Sequence, residues 1–181
     1  MMAAPLPAAA VLAIRQESLY HEARVLILIC QFTMPAEPFR GLTKLAKVDF
    51  LLRYPVMAER LLPPGITWLG GAPTDDERQA VESRMIRYKY GPWDDRYYPL
   101  LGALVGKRLA TFARVNDSME ITLTDAGRDL GIALGETSSW AIVAQRARFL
   151  RAHFDLPGRE LKDLIYEQLP DVVALPLRSE I

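Results

Sequence analysis

Residues 104–130 read "LVGKRLATFARVNDSMEITLTDAGRDL", and the hydrophobic period changes twice within them. Up to Gly106 the apolar residues recur at helical spacing. "LATFARV" (109–115) and "MEITL" (119–123) are short alternating runs, and "NDS" between them has the composition of a tight turn. "TDAGRDLGIAL", from Thr124 onward, returns to helical spacing. The segment therefore predicts helix, two-stranded hairpin, helix.

Working outward, the chain from about Ala9 to Phe32 lacks Pro and Gly and carries Leu12, Leu19 and Leu26 at heptad spacing, flanked by Val11, Val25 and Ile29. This predicts a long helix whose second half, "VLILIC" (25–30), is buried. The prolines of "TMPAEPF" end it. "GLTKLAKVDFLLRYP" (41–55) follows as a helix capped by Thr43, with Leu45, Val48, Leu51 and Leu52 inward and Lys44, Lys47 and Arg53 outward. Pro55 precedes a shorter helical run, "VMAERLL". "PPGITWLGGAPTDD" (63–76) is the longest loop. Asp75 and Asp76 open a helix expected to run to Tyr90, where Gly91-Pro92 stops it. Asp94 or Asp95 then caps "RYYPLLGALVGKRL", and Pro99 falls early enough in that helix to be tolerated. Near the end, "SSWAIVAQRARFLRAHF" (138–154) is strongly amphipathic, with an apolar stripe at Trp140, Val143, Ala147, Leu150 and Phe154 and Arg146, Arg148 and Arg151 on other faces. Pro157-Gly158 separates it from a last amphipathic run, "RELKDLIYEQL".

Helix, hairpin and helix in that order match a winged helix, with the helix before the hairpin in the recognition position and "NDS" as the wing. The fold expectation is thus a mainly α chain: a winged helix-turn-helix core with a two-stranded wing, a long N-terminal helix and extra C-terminal amphipathic helices. Its parts are N-terminal helices (1–63), a Pro/Gly-rich loop (64–75), the winged-helix unit (76–135) and C-terminal helices (136–181), together one domain of 181 residues. Any other helix-hairpin-helix arrangement is the plainer alternative. "LVGKRLATFARVNDSMEITLTDAGRDL" resembles the corresponding segment of MarR- and PadR-like winged-helix proteins, in which "LT.AGR" follows two strands. "LTKLAKVDFLLRYP" with "YKYGPWDDRYYPLLGALVGKRLAT" resembles the middle components of bacterial ABC-three-component defence systems, including the small subunit of Lamassu, and also Panacea-type antitoxin domains. The resemblance covers roughly half the chain, about residues 41–130. It implies a non-catalytic adaptor that joins an SMC- or Rad50-like ATPase to an effector nuclease, and it transfers no catalytic residue.

The totals agree with a subunit. Twenty-two Lys and Arg balance 22 Asp and Glu, so there is no bulk attraction to nucleic acid or membrane. The single cysteine, Cys30, permits no internal disulfide and fits a cytoplasmic protein, as does an N-terminal "MMAAPLPAAAVLAI" without a basic n-region. No apolar stretch reaches a membrane span of about 18 residues. His21 and His153 lie far apart in sequence, Cys30 sits in an apolar run, and "WLGGAP" lacks the Lys and Ser/Thr of a phosphate loop. No zinc spacing exists, and the aspartate pairs at 75–76 and 94–95 read as helix starts. No enzyme, metal or cofactor is expected.

Two surfaces carry the remaining chemistry. Arg84, Arg87, Lys89, Arg96, Lys107 and Arg108 against Asp94 and Asp95 give 84–108 a local excess of four positive charges, suited to non-specific phosphate contact. The wing "NDSME" holds two acids and no base, and "YYPLLGALVG" has no Asn, Gln, Ser or Arg to read base edges, so specific duplex readout is not expected. Tyr90, Trp93, Trp140, Val143, Leu150 and Phe154 are the candidates for a partner interface. Packing of the same rings and stripe into the chain's own core is the alternative. The rival function is a dimeric DNA-binding regulator of the MarR or PadR kind.

Overall fold

The computed structural model describes residues 8–34, 36–68, 71–75, 78, 86–88 and 91–174. Eight helices and five short strands have defined bounds among them. Helix α1 (Ala8–Phe32) is followed by β1 (Phe39–Arg40), α2 (Leu42–Arg53) and α3 (Pro55–Leu61). Strands β2 (Ile86–Tyr88) and β3 (Gly91–Trp93) precede α4 (Tyr97–Gly106). Then come β4 (Ala110–Val115), β5 (Ser118–Leu123), α5 (Asp125–Glu136), α6 (Ala141–Phe154), α7 (Gly158–Gln168) and α8 (Pro170–Val173).

The hairpin forms where the alternation predicted it. Ala110 pairs with Leu123 and Val115 with Ser118, leaving a two-residue connection, Asn116-Asp117. Both connecting residues have positive φ, 47° and 62°, the backbone of a type I′ turn, which Asn and Asp tolerate better than most residues. β1 adds to the other edge of β5, so the sheet is antiparallel in the order β1-β5-β4. The turn into α5 is tightly stitched. The Thr124 amide donates to Leu109 O at 3.0 Å, its hydroxyl donates to Arg108 O at 2.8 Å, and the same hydroxyl accepts from the Gly127 amide at 3.0 Å. A Cβ at Gly127 would lie 1.8 Å from Leu109 O, so "LT.AGR" has a steric reason for its glycine.

The first helix runs through the middle of the molecule, packed on α4, α5 and α6, and α2 packs on α6, α7 and β3. "VLILIC" is buried throughout, each residue at most 1 % exposed. Removing each such aliphatic side chain from water stabilises the fold by about 1.5–3 kcal/mol. The core joins residues from Val25 to Val172. Arg151 on α6 donates to the Gln31 and Met34 carbonyls, closing the C-terminal end of α1.

Several expectations change. The heptad stripe of α1 does not face the core along its length: Leu26 is buried, but Leu19 is 55 % exposed. Thr43 is not the cap; the N-cap lies two residues earlier at Gly41, whose φ of 92° suits glycine. Lys47 and Arg53 do not point outward but are buried, as is Arg146 on α6. The expected helix to Tyr90 begins, since the Arg78 amide donates to Thr74 O at 3.0 Å. By Ile86 the chain is instead a strand, and Gly91-Pro92 lies in its partner strand rather than in a helix stop. Neither Asp94 nor Asp95 is the N-cap of α4, which is Arg96. Asp94 does tie the turn before it, accepting the Arg96 amide at 3.0 Å.

Candidate functional site

The expected basic surface separates into pieces. Arg84, Lys89 and Tyr90 lie outside the described residues, and of Arg87 only the backbone, in β2, is within them. Arg96 turns back onto Asp94, with Nε 2.9 Å and NH2 2.7 Å from its carboxylate oxygens, and its NH1 lies 2.8 Å from His21 Nε2. Lys107 pairs with Glu22 of α1. Arg108 is exposed at the end of α4 with φ 59°. In the β4–β5 hairpin, Arg114 pairs with Asp117 at 2.6 Å.

The partner-interface candidates also divide. Leu150 and Phe154 sit in the chain's own core, at 0 % and 2 % exposure, so they present no surface. Val143 is half-buried. Trp140, at the start of α6, packs against Tyr20 with ring centroids 4.9 Å apart. Trp93 is half-buried, packs edge-on against Tyr97 and donates Nε1–H to Asp95 at 3.1 Å. Cys30 is fully buried beside Gly131, and burial raises its thiol pKa.

A buried ionic cluster, absent from the sequence reading, lies beneath these positions. Arg24 meets Asp49 bidentately, at 2.9 and 3.1 Å, and both are at most 1 % exposed. The Tyr97 hydroxyl donates to Asp49 Oδ2 at 2.8 Å. Arg53 reaches Asp94 at 2.9 Å and stands 3.9 Å from Asp49. His21 touches both Arg24 and Arg96 through its two ring nitrogens. Burial, then the charges of the three neighbouring arginines, push the His21 pKa down to about 4, so the ring is neutral at pH 7. The cluster thereby ties α1, α2 and the start of α4 into one frame. The signal in the sequence was a charge isolated among apolar neighbours: Asp49 in "KVDFLL", and Arg24 directly before "VLILIC".

The outer face of α4 is different in kind. Tyr98, Pro99, Gly102, Val105 and Gly106 are exposed, with Tyr98 at 60 % and Val105 at 40 %. Among the described residues no group of three or more His, Cys, Asp or Glu is placed to hold a metal ion. No described helix is long and apolar enough to cross a membrane. Comparison with protein-family models, curated proteins and solved structures returned no match to the chain.

Proposed function

We propose that this chain is a winged-helix protein. Supporting that reading are the order α4, β4, β5, α5, the β1-β5-β4 sheet in which the strand before α2 joins the wing, and the stitched "LT.AGR" turn. Within that class we propose a non-catalytic adaptor subunit of a defence complex, bridging an SMC- or Rad50-like ATPase and an effector nuclease.

The observation that carries the adaptor reading is the outer face of α4. In DNA-binding winged helices this helix presents polar side chains to base edges. Here it presents an exposed Tyr, Pro and Val around two glycines, a surface that gains free energy by burial against protein. The resemblance of residues 41–130 to ABC-three-component middle components names the partner class. Co-expression with the products of the neighbouring reading frames, an SMC-like ATPase and an effector under this proposal, tests the reading. The three are expected to co-elute in size exclusion. The double variant Tyr98→Asp, Val105→Asp is expected to release the chain while leaving its own melting temperature within a few degrees. Elution of the wild-type chain alone would overturn the proposal, and a sequence-selective complex with its own promoter DNA would replace it with the regulator reading.

A further inference from the structure

The exposed residues of α4 share one side of the helix. Tyr98, Gly102, Val105 and Gly106 stand at i, i+4, i+7 and i+8, with Pro99 beside Tyr98. The Tyr98 ring leans on Trp93, with centroids 6.4 Å apart, and its outer side is left to solvent. A Cβ at Gly102 would meet nothing within 4 Å, so this glycine relieves no clash inside the chain. In the middle of a helix it nevertheless costs about 1 kcal/mol against alanine. The result is a low, apolar strip with a ring at one end and a branched side chain at the other.

Each end of the strip carries a charge that the fold leaves uncompensated. Asp95 stands three residues before Tyr98 and Arg108 three residues after Val105, and both are exposed. Asp95 accepts the neutral Nε1–H of Trp93 at 3.1 Å and pairs with no cation among the described residues. The Arg108 side chain likewise meets no carboxylate among them. Their neighbours differ, since Arg96 is engaged by Asp94 and Lys107 by Glu22. The place of Arg108 is set by its backbone, whose amide donates to Val105 O and whose carbonyl accepts the Thr124 hydroxyl.

We propose that a second copy of this chain covers the strip, with the two α4 helices antiparallel about a two-fold axis near Gly102. The face is complementary to itself. The register that sets Tyr98 opposite Val105 of the second copy also sets Asp95 opposite Arg108 of the second copy, and the two-fold repeats both contacts at the other end. Antiparallel packing places each helix N-terminus beside the other's C-terminus, which the helix dipoles favour. Gly102, at the centre, lets the backbones approach closely. The inference rests on the reading that this face meets protein, and adds that before any partner binds the protein it meets is the chain itself.

The experiment is sedimentation velocity of the full chain alone at rising concentration, with thermal melts to check that each variant folds. The wild type is expected to pass from monomer to dimer. Asp95→Arg and Arg108→Asp each set like charges together at both ends of the strip, and each is expected to weaken the dimer by about tenfold or more. Both positions are exposed, and aspartate tolerates the positive φ of Arg108 better than most residues. An equimolar mixture of the two variants is expected to recover wild-type association, because every reversed charge then faces an opposite one. A monomer up to about 1 mM, a dimer indifferent to both reversals, or a mixture that does not recover would overturn the proposal. None of these outcomes touches the adaptor reading, which falls instead if the co-expressed wild-type chain elutes without the ATPase and effector.

Discussion

Asp49 shows how the cluster governs stability residue by residue. Burial alone would raise its pKa, but the charges of Arg24 and Arg53 and hydrogen bonds from Arg24 and Tyr97 outweigh it, so the pKa is lowered. Asn at this position would leave Arg24 buried without its anion, and the expected loss is about 3–5 kcal/mol in urea unfolding at pH 7. Asp94 follows the same logic. Burial raises its pKa, yet the hydrogen bonds and charge of Arg96, with Arg53, hold it down to about 2. A carboxylate with a depressed folded pKa adds stability above its unfolded value of about 4, and that stability is lost as pH falls toward 2. The midpoint of urea unfolding is expected to fall steeply from pH 4 to pH 2, and less steeply in Asp94→Asn. Lys47 works in the opposite sense. Its Nζ donates to Pro92 O at 3.2 Å, and burial, with a smaller push from Lys162, lowers its pKa to about 7. Between pH 7 and its unfolded value of about 10.4 the unfolded chain binds the extra proton, so stability rises with pH across that window. Lys47→Met should remove the rise, which unfolding at pH 7 and pH 9 would measure.

At the scale of elements, α5 depends on glycines rather than on apolar bulk. Gly127, Gly131 and Gly135 stand four residues apart and are all buried. A Cβ at Gly131 would lie 2.9 Å from Cys30 Cβ on α1, and one at Gly135 would lie 2.9 Å from Ala144 Cβ on α6. The stripe lets three helices approach closely. Gly131→Ala is expected to destabilise by about 1–3 kcal/mol through overpacking, despite alanine's better helix propensity, while the exposed Gly102→Ala should be neutral or stabilising. Paired thermal melts check the contrast. The stripe is visible in "TDAGRDLGIALGE", but glycine at helical spacing reads locally as a weak helix, and its value appears only when the neighbours are placed. The β4–β5 hairpin was legible because alternation and an Asn-Asp turn are local properties. The β2–β3 hairpin had the same signal: "IRYKY" alternates strictly. The expected helix through it followed from the carboxylates and polar residues upstream, and the change of period at Ile86 was the evidence against it.

For the whole molecule, the assumption that charge marks the surface failed at several positions. It failed at Lys47, Arg53 and Arg146, which are buried where the fold supplies partners that sequence spacing does not reveal. Of the six expected nucleic-acid contacts, Arg84, Lys89 and the side chain of Arg87 lie outside the described residues, while Arg96 and Lys107 are engaged by Asp94 and Glu22. The consequence is a specific expectation for DNA. With zero net charge, the hairpin's Arg114 tied to Asp117 and an apolar α4 face, duplex binding should be non-selective and weak at physiological salt, with a Kd no tighter than about 10⁻⁶ M. Each phosphate contacted adds about 0.9 to the slope of log affinity against log salt. Anisotropy titrations of a labelled duplex from low to physiological salt should therefore give a shallow slope, flattened further by the triple change Arg84→Gln, Arg87→Gln, Lys89→Gln. A slope of about six contacts or more would mean that the Asp94, Glu22 and Asp117 pairs open to release their cations, and that phosphate, rather than a protein partner, is what this end of α4 meets.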